Sequence, residues 1–495
     1  MKKLLVLLGI LCAFCFVSCG NIQLAGGDMG VVSLAIGDEL AGQIRSAAAS
    51  RNAGVGAYTV TASIRGEYSD SQSVTVADSS LAGASFTFEN IPVGKNIILD
   101  LTAKADGNYI WYGNSGKHTV ERGENLLTIT LGRVSGVLMW DSSSVKIAPY
   151  GNYEAAENTS SSIQAAPVFC FDENGNIYWY ADGQNGAQRF DLQADGSSIS
   201  SDEFYNNSPF YAFTHDATTD ILYGIGDGGS VKYWSGTGND SKDITTSDGD
   251  GSSLSGADSL GFVVHANTVY VATYGEIQDG DGPILGVVQL SSYNLKDSPD
   301  DGSKTATPIL TDKTFTLPES FGSNSPSGQM IYHEGALYLL LSRVSIDPMY
   351  DASVPTESYS LGAVLKINPN TLALDTSFGS QGYLGLASTN EEISNIDESD
   401  DGVTGGTVVY HGPMPSNDSS VFYGPQGFVA IMPKKLVIAD AGFSMSKDEK
   451  KIALTKKSRI VTVDLETLAF ETVDVEDTYY QPSITSTGSG YNYIK

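Results

Sequence analysis

Apolar and polar residues alternate with a period of two along most of this chain, the pattern of strands that bury one face. Tyr58, Val60, Ala62 and Ile64 fall on one side of a run, and Thr59, Thr61, Ser63 and Arg65 on the other. Ile97, Leu99, Leu101 and Ala103 alternate with Ile98, Asp100, Thr102 and Lys104, and Leu127, Ile129 and Leu131 alternate with threonines. Turn signals separate these runs: ENIPVG at 89–94, ADGN at 105–108 and ERGEN at 121–125. About seven short strands in ~100 residues predict a β-sandwich over residues 34–133. The Gly-rich stretch before it, within residues 19–33, reads as a tether.

After Val134 the pattern changes to a repeated hairpin. The copies are VFCFDENGNIYWY at 168–180, YAFTHDATTDILYGI at 211–225, GFVVHANTVYVATY at 261–274, QMIYHEGALYLLL at 329–341 and GFVAIMPKKLVIAD at 427–440. Each is followed, after a variable gap, by a third apolar strand: AQRFDL, SVKYWS, GVVQLSSYNL, GAVLKINPNTLALD and SRIVTVDLETLAFE. The last two add a short turn and a fourth strand. Repeated units of four antiparallel strands predict an all-β fold in which the sandwich precedes a β-propeller of six or seven blades, over residues 134–495. Tyr178, Tyr223 and Tyr270 are spaced as ~40–50-residue blades require, and the later copies are further apart because of insertions. Residues 134–150 and the tail are expected to close the ring. A β-solenoid or a string of sandwiches is the rival fold. The unequal spacing of well-kept hairpins argues against a solenoid.

In a four-stranded meander the first and third turns share one end. Here the first turns are short, as at His265 to Asn267, His333 to Gly335 and Met432 to Lys435. The long segments are Gly275 to Leu285, Ser342 to Leu361 and Ala441 to Ser458 between second and third strands, and Lys296 to Ser327 and Leu384 to Gln426 between blades. Growth is therefore expected on one face, and such a face commonly binds. Its candidate residues are Asp279, Asp281, Asp300, Asp301, Asp400, Asp401 and His411. Acidic Gly-rich loops such as EIQDGDG suit Ca²⁺ or simple solvation, and none of them fits the EF-hand spacing: after Asp248 and Asp250 the sixth position is Ser253 and not glycine. His215, His265 and His333 each end a first strand, and either bind a metal together or are repeated turn residues. No catalytic residue is assigned: nucleophile elbow, P-loop, dinucleotide fingerprint and HExxH are missing from the sequence.

Composition supports these elements. Glycine is 54 of 495 residues, charged residues are 17%, and the formal net charge is −30. Such a surface repels nucleic acid and anionic headgroups, so no nucleic-acid partner is expected. Lys2 and Lys3 precede the apolar run Leu4 to Val17, too short for a membrane span of ~20 residues, and F-V-S-C-G follows. This segment resembles a bacterial lipoprotein signal with its lipobox: Ser18 precedes Cys19, although Phe16 stands where that family usually has leucine. The resemblance implies removal of residues 1–18 and lipidation of Cys19, with a membrane partner through the lipid anchor and a place at the outer membrane or cell surface of a bacterial envelope. Cleavage leaves Cys170 as the remaining thiol, so no internal disulfide is expected.

Three further resemblances concern architecture. FTFENIPVGKNIILDLTA is similar to prealbumin-like sandwiches through Phe86, Phe88, Asn90, Ile91, Pro92 and Gly94. GPQGFVAIMPKKLVIADAG with SRIVTVD resembles an NHL-type blade through Pro425, Gly427, Phe428, Leu436, Ile438, Ala439, Asp440, Gly442, Arg459, Ile460 and Asp464, departing by the insertion Ser444 to Lys457. LKINPNTLALDTSFGSQGYL resembles a bacterial propeller repeat through Leu374, Asp375, Ser377, Phe378, Gly379 and Gly382. The expected function is that of a lipid-anchored binding or scaffold module acting through the long-loop face on a protein or carbohydrate. The alternatives are a propeller enzyme acting on polysaccharide and a periplasmic accessory protein.

Overall fold

The computed structural model describes residues 28–50, 57–105, 108–127, 129, 132–134, 136–140, 144–151, 153, 157–161, 168–171, 177–180, 186–192, 198–205, 212–216, 218–219, 221–225, 231–235, 242–246, 254, 259–278, 284–297, 304–321, 326–345, 356–388, 390–394, 407–413, 420–442, 444–446, 451–453 and 458–475. The chain opens with β1 (Met29–Ala35), α1 (Asp38–Ser50), β2 (Ala57–Gly66), β3 (Asp70–Ala77), β4 (Ser85–Pro92), β5 (Asn96–Ala105), β6 (Asn108–Asn114), β7 (His118–Thr119), β8 (Gly123–Leu126) and β9 (Gly132–Arg133). One sheet has the order β4-β1-β8 and the other β3-β2-β5-β6-β9, with β7 on β5. Val32, Leu34, Phe86 and Phe88 of the first share a core with Tyr58, Val60, Leu99 and Leu101 of the second.

Two expectations change here. The tether was expected to run through Ser33, but Met29 already begins a strand, because Val32 and Leu34 bury and Gly30 to Ser33 pair in parallel with β8. Gly30 permits that approach: a Cβ there would lie 2.5 Å from the Glu121 carbonyl oxygen. The second change is α1, where strands alone were expected. Asp38 and Glu39 in its first turn suit the helix dipole, and Ala41 and Ile44, one turn apart, bury.

The chain then enters β10 (Val137–Trp140), β11 (Ser144–Ala148) and β12 (Glu157–Ser161), a three-stranded sheet. β13 (Val168–Phe171), β14 (Ile177–Tyr180), β15 (Gly186–Leu192) and β16 (Ser198–Tyr205) form an antiparallel four-stranded sheet. β17 (Ala212–Asp216), β18 (Ile221–Ile225), β19 (Val231–Ser235) and β20 (Lys242–Thr246) repeat it, as do β21 (Ser259–His265), β22 (Thr268–Gln278), β23 (Ile284–Asp297) and β24 (Lys304–Thr316). A parallel pairing of β20 with β24 joins these two along their outer edges. β25 (Ser327–His333), β26 (Ala336–Ser345) and β27 (Thr356–Ile367) are extended by β28 (Asn390–Ser394) and β29 (Thr407–His411) in the order β25-β26-β27-β29-β28. The last sheet is β30 (Pro425–Met432), β31 (Lys435–Asp440), β34 (Arg459–Asp464) and β35 (Phe470–Asp474), with a small hairpin β32 (Ser444–Ser446) and β33 (Lys451–Ala453) set between its second and third strands.

These sheets close on themselves. The first strands β13, β17, β21, β25 and β30 adjoin in turn, and β10 adjoins β30. Trp140 of β10 packs on Phe169 of β13 at 5.4 Å, and Val137, Leu138 and Met139 share one core with Val429, Val437 and Ile460. Consecutive antiparallel meanders arranged this way are propeller-like.

The short first turns hold two residues each, and those at 266–267 and 334–335 lie wholly in the left-handed region, the type that matches strand twist, whereas Pro433 gives the third a negative φ at its first position. His265 pairs with Thr268 and His333 with Ala336, and Ala266, Asn267, Glu334, Gly335 and Lys434 all have positive φ. Two of these turns offer amide N–H groups to the preceding sheet. Asp216 accepts hydrogen bonds from Ala266 N and Asn267 N at 3.3 and 3.2 Å, and Glu334 accepts one from Lys434 N at 2.8 Å. The N-terminal sheets dock at this same end. Arg65 bridges Asp100 of its own sheet and Asp464 of β34, each at 2.6 Å, and the Lys435 ammonium lies 4.8 Å from the centre of the Tyr112 ring.

The long segments correct the expectation of loops. Between second and third strands the ladder simply continues outward: Gln278 pairs with Ile284, and Ser345 with Tyr359. Residues 384–426 include β28 and β29, and β29 lies parallel to the outer half of β27. Residues 296–327 include β24, whose alternating threonines pair with β23 on one side. The fourth strand expected at NTLALD reduces to the isolated bridge Ile367–Leu374.

A buried ion pair fixes the base of the β31–β34 end. Asp440 accepts from Arg459 Nε and Nη2 at 2.9 and 2.8 Å and from Tyr423 N at 3.0 Å. Both side chains are buried, so removing one strands the other. Asp440→Ala is expected to cost about 3–5 kcal/mol, and Asp440→Asn, which keeps an acceptor for Tyr423 N, measurably less. Urea unfolding of the two variants checks this order.

Candidate functional site

The period of two places the site. On β26, Leu337, Leu339 and Leu341 face the preceding sheet, and the next residue in that stripe is Arg343. On β27, Leu365, Ala363 and Leu361 lead to Tyr359 and then Glu357. On β22 of the preceding sheet, Tyr270 and Ala272 lead to Tyr274 and Glu276. A hydrophobic seam between two sheets thus becomes polar where the strands run on past the ring as two fingers. β29 adds His411, which is the cross-strand partner of Tyr359.

The contacts are close. The Arg343 guanidinium lies over the Tyr359 ring at 3.3 Å, and His411 stacks on the same residue at 4.5 Å and 7°. Tyr359 donates its hydroxyl hydrogen to the Glu357 carboxylate. Burial, with that bond, pushes the Tyr359 hydroxyl up to about 12, so it stays protonated. Arg343 is 7% exposed, and its Nη1 has no hydrogen-bond partner among the described residues. Burial draws the guanidinium below its usual range, opposed by Tyr359 and by Glu357. Tyr274 completes the seam, its ring lying against Gly286, where a Cβ would meet it at 2.8 Å.

Of the residues expected from sequence, the structure brings His411 into this cluster. Cys19, Asp279, Asp281, Asp300, Asp301, Asp400 and Asp401 lie outside the described residues. The ends of their connections are defined. Asp279 and Asp281 fall between the paired residues Gln278 and Ile284, at the finger end. Asp400 and Asp401 fall between the paired residues Ser394 and Thr407. Asp300 and Asp301 fall between Asp297 and Lys304, which pair at the short-turn end, so not all the growth collects on one face.

The three first-strand histidines have structural roles. His215 stacks on Tyr178 at 4.6 Å, His265 on Tyr332 at 3.7 Å, and the His333 ring lies 6.3 Å from Tyr338. Among the described residues no group of three or more His, Cys, Asp or Glu side chains is arranged to hold a metal ion. Arg343, Tyr359, Glu357 and Tyr274 were not selected by sequence reasoning. Their signal was the apolar stripe itself, which carries an arginine two positions after Leu341 and a tyrosine two positions before Leu361.

Residues 328–487 match the family model described as the TdpA C-terminal domain, a span that includes Arg343, Tyr359 and His411. No curated protein matches the chain. Among solved structures, the chain is similar to a structural genomics protein of unknown function from Bacteroides thetaiotaomicron, at 12% identity over 84% of this chain and 80% of that one, with a TM-score of 0.35. It is also similar to a quinoprotein alcohol dehydrogenase-like protein from the same organism, at 10% identity over 85% and 89% with a TM-score of 0.30. A third is AztD of Citrobacter koseri, at 10% over 70% and 96% with a TM-score of 0.31. At these values the likenesses bear on neither activity nor ligand.

Burial holds His333 and His411 below the usual imidazole range. A histidine depressed on folding contributes stability that is complete above its unfolded pKa of about 6.5 and lost as pH falls through that value. The thermal unfolding midpoint is therefore expected to fall between about pH 7 and 5, above the range where ordinary carboxylates titrate. His333→Asn should flatten that slope, as read by calorimetry across the window.

Proposed function

We propose that this chain is an envelope-tethered binding module, a six-bladed propeller on an N-terminal β-sandwich stalk, whose finger end meets the ligand. The observation that carries this reading is convergence. Tyr274 from one sheet, Arg343 and Tyr359 from the next, and His411 from a separate insertion meet at one seam. Orientation supports it. The stalk docks at the short-turn end through Arg65 and Asp464, while the fingers leave from the opposite end. A lipid on Cys19 would lie about ten residues before β1, within roughly 35 Å of extended chain, on the stalk side. The fingers then face away from the membrane that holds the anchor.

Cys19→Ala is expected to move the protein from the membrane fraction to the soluble fraction. Retention in the membrane fraction would contradict the anchor. For the binding face, residues 346–355 and 395–406 are each replaced by a short Gly-Ser turn, and the full chain is tested on a glycan array and a panel of purified matrix proteins. Saturable binding should be lost in this variant and kept in Lys434→Ala, at the short-turn end. Binding indifferent to the finger change, or no binding by the native chain, would overturn the proposal.

A further inference from the structure

We infer that the seam between the two fingers binds a compact oxyanion, carboxylate or phosphate-like, on the Arg343 guanidinium. This rests on the reading of the finger end as the binding end and names the chemistry it recognises. The first ground is the state of the cation. Arg343 is 93% buried by its exposure of 7%, yet among the described residues no carboxylate lies within ion-pair distance of it. Glu357 supports the cation without an ion pair to it, and its carboxylate accepts from the Tyr359 hydroxyl. The Tyr359 face stabilises the cation but does not neutralise it. A buried charge without a partner costs several kcal/mol, and leucine would continue the stripe set by Leu337, Leu339 and Leu341 without that cost.

The second ground is the open donor. Arg343 Nη1 is enclosed and has no hydrogen-bond partner among the described residues. A guanidinium is a donor only, so what completes it is an acceptor, and an anionic acceptor removes the charge penalty as well. The surroundings limit the ligand further. Glu276 and Glu357 stand exposed beside the seam, and the chain carries a net charge of −30. A polyanion is repelled by such a field, whereas one compact charged group is not excluded from a local cationic point. Because Nη1 lies beneath the surface, the anion reaches it by displacing a neighbour.

The test is calorimetric titration of the full mature chain with acetate, glucuronate, inorganic phosphate and sulfate, at constant ionic strength held with chloride. At least one should bind saturably, and Arg343→Met should weaken it ten-fold or more, as loss of one charge-assisted contact requires. A carboxylate ligand is expected to be lost in Arg343→Lys as well, since planar two-point pairing needs the fork, while phosphate or sulfate retains part of its affinity. Glu357→Gln, which removes a nearby negative charge without removing the arginine, should tighten binding by about two- to five-fold and serves if Arg343→Met does not fold. No saturable binding up to roughly 50 mM, a range that weak single-contact anions reach, would overturn the inference, as would an affinity unchanged in both variants. Anion binding lost while array binding persists removes this inference alone. Anion binding kept by a chain that binds nothing on the arrays removes the broader reading alone.

Discussion

The pairing of second and third strands governs this molecule. Because side chains on a strand alternate strictly, a ladder that continues without a slip carries the same face outward for as long as it lasts. From Leu337 to Ser345 on β26, and from Ile367 back to Tyr359 on β27, the partners remain in register. The face that buries leucines inside the ring is therefore the face that presents Arg343 and Tyr359 beyond it. A single-residue bulge on either strand in that stretch would turn that strand's side chain, Arg343 or Tyr359, away from the neighbouring sheet. The chemistry at the seam is inherited from the packing below it.

The ring in turn depends on contacts that cross from sheet to sheet. The two-residue turns at 266–267 and 433–434 expose amides from which Asp216 and Glu334 of preceding sheets accept hydrogen bonds. Such bonds align neighbouring sheets at one end, while the apolar seams set their spacing along the rest. Arg65, held between Asp100 and Asp464, ties the N-terminal sheets to the last sheet at that same end. The short-turn end is thereby occupied with holding parts together, and variation is cheaper at the other, where an extension of two paired strands satisfies its own backbone.

Much of this was legible in the sequence, and the failures have physical causes. The five hairpins were readable because each is an apolar run, a short turn and a second apolar run, as in Phe428 to Asp440. β24 was not, because Pro308 and the acidic stretch before Lys304 look like a linker. In the sheet, Pro308 falls beside a shift in register with β23, where the missing N–H is tolerated. α1 was missed because its apolar face is small, with Ala41 and Ile44 as its buried positions. Of the site, His411 could be chosen by its position beside an insertion. Arg343 and Tyr359 could not, since the insertion was taken to begin at Ser342 and end at Leu361, and the stripe was cut just short of both.

Among the described residues, the first strands of the ring approach one another closely at one point. Gln329 of β25 donates to the Phe169 carbonyl of β13 at 3.1 Å and accepts from Phe428 N of β30 at 2.7 Å. One side chain thus ties three first strands together where they meet. Glycines allow that closeness: a Cβ on Gly328 would collide with the Leu260 carbonyl, and one on Gly427 would lie 3.0 Å from Gln329 and Phe169. The seam between β22 and the β26–β27 pair is filled by leucine, alanine and tyrosine, and it opens to a cation at the level of Arg343. Beyond that level the unbroken β26–β27 ladder carries the same face on into the fingers.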